Sequence, residues 1–439
     1  MLRTLALLTC LAAATPASAD TPPSAAQPRP CPAAVGTNVK CFAGRDEAGA
    51  FYWFALPSNW NGVLVVHAHG GPELGEPKSE RTAEDLARWA VFPRAGYAWA
   101  ASSFRQGGVA VRAAAEDTER VRQRFVAELG APKFTLLHGQ SWGASVAART
   151  AELFGSAGDG KPTYDAVLLT SGVLGGGTKS YDFRLDLRVV YQAVCGDHPR
   201  ADEPAYPLWQ GLPPGTALTR DELARRVDEC TGIRRKPEER SDAQRQHLAA
   251  VLEAVRIPER SLLGHLNWAT WHFQDIVFKR LDGRNPFGND GVHYRGRIDG
   301  EALDTKVQRY RADPKARADF GADTDPQGRI GVPVLTVHGI DDPIAFVELE
   351  SVFRDTMARA GHADRLVQTF TADAEHSYLS DVQYLAASDA LLAWARNGDK
   401  PTSASVAARC KALEASAGAA CRFRPDYHPA PLAERVPPR

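Results

Sequence analysis

The five residues Gly139-Gln140-Ser141-Trp142-Gly143 set a hydroxyl between two glycines. They follow the apolar run Phe134 to His138 and precede Ala144-Ser145-Val146-Ala147-Ala148. The first run reads as a buried strand and the second as the start of a helix. A G-x-S-x-G segment at such a junction describes a nucleophile elbow, a turn sharp enough to hold the serine above the sheet edge. Its glycines remove side chains that would collide with the strand and helix beside them. The helix start aims backbone N–H groups at negative charge developing next to the serine. A serine attacks at neutral pH only if a base takes its proton and a third group orients that base. The elbow therefore predicts an acid after a later strand and a histidine after the last one. Both positions are filled. Val332 to His338 leads into Gly339-Ile340-Asp341-Asp342-Pro343, and Leu366 to Phe370 leads into Thr371-Ala372-Asp373-Ala374-Glu375-His376. One of Asp341 and Asp342 also suits the N-cap of a following helix. His69, His138, His272 and His338 fit the order less well than His376, because they lie within or beside strands or in the long insertion.

Such loops need a scaffold, and the flanking sequence supplies one. Phe51 to Leu56 reads as an aromatic strand, Gly62 to His67 as a strand buried on both faces, 79–94 as helix, and Gly96 to Ala101 as strand. Ala113 to Leu129 follows as an amphipathic helix, and Asp165 to Thr170 as a further buried strand. Regular alternation implies βαβ units and a mostly parallel sheet covered on both sides. The rhythm stops after about Gly177 and resumes near Val332, so the expected fold class is α/β with a large helical cap insertion. The expected division is a signal peptide at 1–19, an extension at 20–49, core at 50–177, cap at 178–327, core again at 328–398, and a tail at 399–439. Residues 20–30 are rich in proline and are expected to be disordered.

With strand, elbow, acid and histidine in this order, residues 50–177 and 328–397 resemble the α/β-hydrolase superfamily. The resemblance implies Asp342, followed by Pro343, as the acid, with Asp341 the alternative. It implies an oxyanion hole from the N–H of Trp142 and a glycine of His69-Gly70-Gly71-Pro72. Pro72 has no N–H, which leaves Gly71, with Gly70 in reserve. No cofactor is implied. Gly70-Gly71-Pro72 with Ser141-Trp142-Gly143 is also similar to the prolyl aminopeptidase group. This chain departs from that group at Gln140, where glycine is usual, at Glu73, and in the size of its insertion. Within the cap, Trp268, Trp271 and Phe273 on a helical stretch at 259–280 are the candidate substrate-binding residues, suited to a bulky or aromatic group. Three functions follow: hydrolysis of a carboxylic ester, exopeptidase action on a short peptide, or ligand binding on an inactive scaffold. An acidic pair in the cap would favour the peptidase.

Composition bounds the rest. With 52 basic and 53 acidic residues the net charge is −1, so no global field recruits nucleic acid or an anionic membrane. Met1-Leu2-Arg3, the apolar run to Ala14 and Ala17-Ser18-Ala19 read as a cleavable secretory signal with the mature chain from about Asp20, hence a secreted or periplasmic protein without a membrane span. Outside that leader, the remaining cysteines fall into sequence neighbours, and the simplest pairing is Cys31 with Cys41, Cys195 with Cys230 and Cys410 with Cys421. His67 and His69 share a strand face and suit a metal in type, but no further ligands at metal spacing accompany them.

Overall fold

The computed structural model describes residues 24–156, 160–377 and 379–439; the expected leader and its cleavage point lie outside the described residues. The chain opens with β1 (Ser24–Arg29), β2 (Val39–Arg45), β3 (Phe51–Pro57) and β4 (Val63–Ala68). Next come α1 (Ser79–Arg88), α2 (Val91–Arg94), β5 (Ala98–Ser102), α3 (Val111–Leu129), β6 (Phe134–Gln140), α4 (Trp142–Phe154) and β7 (Ala166–Thr170). It then leaves the sheet through α5 (Gly176–Cys195), α6 (Arg220–Thr231), α7 (Asp242–Val255) and α8 (Leu262–Asn267). Two π-helical turns, Trp268–His272 and Asp275–Arg280, prolong α8. A small ribbon of β8 (Arg297–Ile298) and β9 (Glu301–Ala302), then α9 (Leu303–Lys306) and α10 (Pro314–Thr324), complete this segment. The chain returns through β10 (Val334–Gly339), α11 (Leu349–Arg359), β11 (Leu366–Thr371), α12 (Asp381–Asn397) and α13 (Ser403–Ala417).

Nine strands form one sheet in the order β1-β2-β3-β5-β4-β6-β7-β10-β11. The run from β5 to β11 is parallel, while β1, β2 and β3 pair antiparallel. Side chains alternate across a strand, so each parallel strand feeds two cores. On β4, Val63 and Val65 pack with Leu86, Trp89 and Leu391 on the α1, α2, α12 side. Leu64 and Val66 pack with Phe125, Val146 and Phe353 on the α3, α4, α11 side. A third apolar cluster belongs to the helical segment, with α5 at its centre and Phe273 stacked on Phe287 at 4.2 Å.

One expectation fails at the N-terminus. Residues 24–29, expected to be disordered, form β1 against β2, because an edge strand needs only backbone pairing and tolerates Pro28. Ser24 C=O accepts from the Tyr52 hydroxyl (2.8 Å), and Ala26 N–H donates to Glu128 (2.7 Å). Cys31–Cys41, Cys195–Cys230 and Cys410–Cys421 are each joined, with Cα separations of 5.3, 5.7 and 5.7 Å. The tail packs α13 on α12 and then runs along β11: Arg424 N–H donates to Phe370 C=O (2.8 Å), and Ala372 N–H to Arg422 C=O (2.9 Å). Among the described residues no helix is long and apolar enough to cross a membrane.

Candidate active site

Ser141 sits between β6 and α4 with φ 57° and ψ −125°, a region a non-glycine side chain adopts only under strain. Neighbouring strands hold it there. Its N–H donates to Thr170 C=O (2.9 Å), and its C=O accepts from Ala144 N–H (3.0 Å) and Val173 N–H (3.0 Å). The flanking glycines are needed for close approach. A Cβ on Gly143 would lie 2.1 Å from Ala68 O, and one on Gly139 would lie 2.3 Å from Gly143 O.

His376 Nε2 lies 2.8 Å from Ser141 Oγ, and its Nδ1 lies 2.7 and 3.0 Å from the two oxygens of Asp342. With Nδ1–H donated to the carboxylate, Nε2 keeps a lone pair facing the serine hydroxyl. Of the two candidate acids, only Asp342 is turned inward; Asp341 is exposed. Burial alone would raise the Asp342 pKa. The charge and hydrogen bond of His376, with His338 and the Ile344 amide, more than offset it, so the carboxyl is held below its usual range. Ser141 is 3% exposed and the His376 side chain 20%, so the site is closed except along the histidine edge.

The loop after β4 carries the second candidate N–H. Arg81 Nη2 donates to Gly70 C=O (2.9 Å), and so does His69 Nδ1 (3.0 Å). In a trans peptide the following N–H points opposite that carbonyl, so these two donors set the direction of the Gly71 N–H. Gly71 itself has φ +72°. Burial pushes His69 down to about 3, which keeps it a neutral donor at Nδ1. Trp142 opens α4, so its N–H has no intrahelical acceptor. Its ring meets Phe104 edge-on at 6.0 Å, and the two help line a crevice with Gly71, Pro72 and Glu73.

The candidate substrate-binding residues divide. Phe273 is fully buried in the core of the helical segment, stacked on Phe287, and Trp271 lies beneath the Arg220 guanidinium, so each is engaged within that segment. The correction has a local cause: the stretch at 259–280 is not one regular helix, and its π-helical turns change which side chains face down. Trp268 lies between His265 and His272, whose Nε2–H groups donate to Pro343 C=O and Pro72 C=O, both at 2.9 Å. The stretch thus grips the acid loop with one histidine and the glycine loop with the other. Sequence reading missed His265 and Arg184 on α5, and gave no structural role to Gln140, whose side-chain amide donates to Ser377 Oγ. Arg88 also donates to Ser377 C=O (2.7 Å), tying α1 to the residue after His376. Gln140 carried a signal, since it departs from the peptidase pattern; Arg184 carried none. His67 bonds His138 across the sheet, Nδ1 to Nδ1 at 2.9 Å, and no group of three or more metal-binding side chains occurs among the described residues.

The parallel sheet, the strained serine between β6 and α4, and the Asp342 and His376 loops after β10 and β11 define an α/β-hydrolase fold. No protein-family profile matches the chain, and no curated protein matches its sequence. Among solved structures it is similar to lipase A of Candida antarctica in its closed state, at 11% identity and TM-score 0.45, over 88% of this chain and 84% of that one. It is similar to LipA, a rice cell wall degrading esterase from Xanthomonas oryzae, at 12% identity and TM-score 0.40, over 87% and 100%. An esterase from Aspergillus oryzae aligns at 14% identity and TM-score 0.41, over 84% of each chain.

Proposed function

We propose that the chain is a serine hydrolase that cleaves carboxylic esters through an acyl-enzyme on Ser141. The observation that carries this is the unbroken relay from Ser141 Oγ to His376 (2.8 Å) and from His376 to Asp342 (2.7 Å), starting at a strained elbow. Ser141 Oγ attacks the ester carbonyl carbon as its proton passes to His376 Nε2, and Asp342 stabilises the imidazolium. The carbonyl oxygen becomes an oxyanion facing the N–H groups of Trp142 and Gly71. The C–O bond to the alcohol breaks, and the alcohol leaves with the proton from Nε2. Water then repeats the sequence, giving up its proton to His376 and freeing the acid. The helical segment serves as the cap over this cleft. The three disulfides suit an oxidising compartment, which supports an exported enzyme.

An aminopeptidase would require free carboxylates in the cap for the substrate amine. The acids buried along α5 are engaged instead: Asp182 by Arg317 (2.9 Å), and Asp186 by Arg439 (2.7 Å) and the Tyr294 hydroxyl (2.5 Å). A panel of p-nitrophenyl esters and proline anilides tests the assignment. Esters are expected to turn over and anilides not; the reverse would move the chain to the peptidases. A fluorophosphonate is expected to label Ser141, and Ser141→Ala to abolish turnover while leaving thermal stability equal or higher, because it removes no packing and the strain is in the backbone. Turnover retained in folded Ser141→Ala protein would eliminate the mechanism.

A further inference from the structure

We propose that Arg184 is the subsite for a carboxylate carried by the substrate, so that the preferred substrates are anionic esters. The inference rests on the esterase assignment and names its substrate class.

Arg184 projects from α5 and is 1% exposed. Its guanidinium carbon lies 4.3 Å from the ring centre of Trp268, 4.6 Å from Phe183 and 4.8 Å from Tyr181. One nitrogen donates to Ser180 C=O, Nε has no partner, and among the described residues no carboxylate pairs with it. A buried cation without a counter-charge is costly, and burial pushes this one down to about 9. The neighbouring acids on α5 are provided for. Asp182 and Asp186 have Arg317 and Arg439. Arg188, one turn on, likewise has no carboxylate partner among the described residues and an unpartnered Nε, but its other nitrogens bond His198 C=O and the Tyr206 hydroxyl. Arg184 alone among them is caged by aromatic faces, which attract a cation but leave its in-plane donors free for a planar anion.

Two links join the cage to the loops beside the serine. Phe183 packs on His265 at 4.9 Å, and His265 holds the Pro343 carbonyl beside Asp342. Trp268 packs on His272 at 5.5 Å, and His272 holds the Pro72 carbonyl beside Gly71. The cage therefore spans the two loops that flank Ser141. Each histidine has a buried, unpartnered Nδ1, an acceptor because Nε2 carries the proton. Among the described residues the cage thus holds one cation without a counter-charge and no carboxylate.

Matched ester pairs test this. In one, the charge is on the acyl side: p-nitrophenyl hemiglutarate against its methyl-capped twin. In the other it is on the alcohol side: 4-butyryloxybenzoate against its methyl ester. At least one charged member is expected to have a kcat/KM about 10- to 100-fold above its neutral twin, the range for a charged hydrogen bond. Arg184→Met is expected to erase that ratio and Arg184→Lys to restore part of it. Structural damage would lower both twins together and keep the ratio, which would overturn the subsite. Should the variants fail to fold, the wild-type enzyme decides: competitive inhibition by glutarate or 4-hydroxybenzoate, weaker for their methyl esters, supports the proposal. Equal rates within both pairs, with Ser141 still labelled, would overturn the subsite and leave the esterase assignment standing. Absence of both labelling and ester turnover would remove the two together.

Discussion

The Ser141 hydroxyl depends on residues that never face a substrate. Asp342 fixes which nitrogen of His376 is protonated, so Asp342→Asn is expected to keep the geometry but reverse the tautomer. By analogy with other serine triads, kcat should fall by about 10⁴-fold; steady-state kinetics on one ester checks it, and a loss under tenfold would mean that Asp342 does not orient the base. Arg81 acts more remotely, through the Gly70 carbonyl it holds at 2.9 Å. Losing an oxyanion donor outright costs about 10²- to 10³-fold, and loosening one should cost less. Arg81→Ala is accordingly expected to lower kcat by about tenfold with KM nearly constant, and Arg81→Lys to recover part of it. A change confined to KM would instead assign Arg81 to substrate binding. Gln140 was legible as a departure from a known pattern, but its purpose was not, because its partner Ser377 lies 237 positions away in sequence.

At the level of elements, the parallel half of the sheet could be read from sequence because its strands are apolar on both faces and separated by helices of ordinary length. β1 could not, since its residues are mostly exposed and its pairing uses only the backbone. The roof was legible only as an aromatic-rich helix. Which of its side chains face the cleft depends on the π-helical turns, and the fate of charges on α5 depends on Arg317 and Arg439, far along the chain. The same stretch is latched to the core at Asp275, whose carboxylate accepts from Val109 N–H at 2.9 Å and pairs with Arg280 at 3.2 Å. Asp275→Ala is expected to destabilise the fold by about 1–3 kcal/mol, the usual cost of leaving a buried donor unsatisfied. It should also speed labelling of Ser141 by a bulky fluorophosphonate relative to a small one. An unchanged ratio would show that this segment does not limit access and is no cap.

Across the whole molecule, burial lowers the pKa of His67, His69, His138, His198, His265 and His272, keeping them neutral in the fold. In the unfolded chain each takes a proton below about pH 6.5, so acid favours unfolding by about 1.4 kcal/mol per pH unit for each one. His338 has the opposite sign. Its pKa is raised by Glu350 against the effect of burial, so it adds stability below its ordinary value and loses it as pH rises through the raised one. Buried carboxyls also run against the histidine slope: burial raises the pKa of Asp85, Asp117, Asp186, Asp197 and Asp325, so they take protons in the fold first and add stability as pH falls towards their unfolded values of about 4. Below about pH 4 the unfolded carboxyls are protonated as well and the histidine slope is unopposed; urea unfolding followed by circular dichroism is expected to show a midpoint that falls between about pH 4 and 3, and an unchanged midpoint would contradict the burial of these rings. The tail bears on a different hazard. By bonding Arg424 to Phe370 and Arg422 to Ala372 it occupies the outer edge of β11, where free backbone groups would otherwise accept a strand from another molecule. Arg424→Pro, which removes the N–H that bonds Phe370 C=O, is thus expected to leave ester turnover in place while seeding fibrillar growth, visible as concentration-dependent light scattering and thioflavin binding.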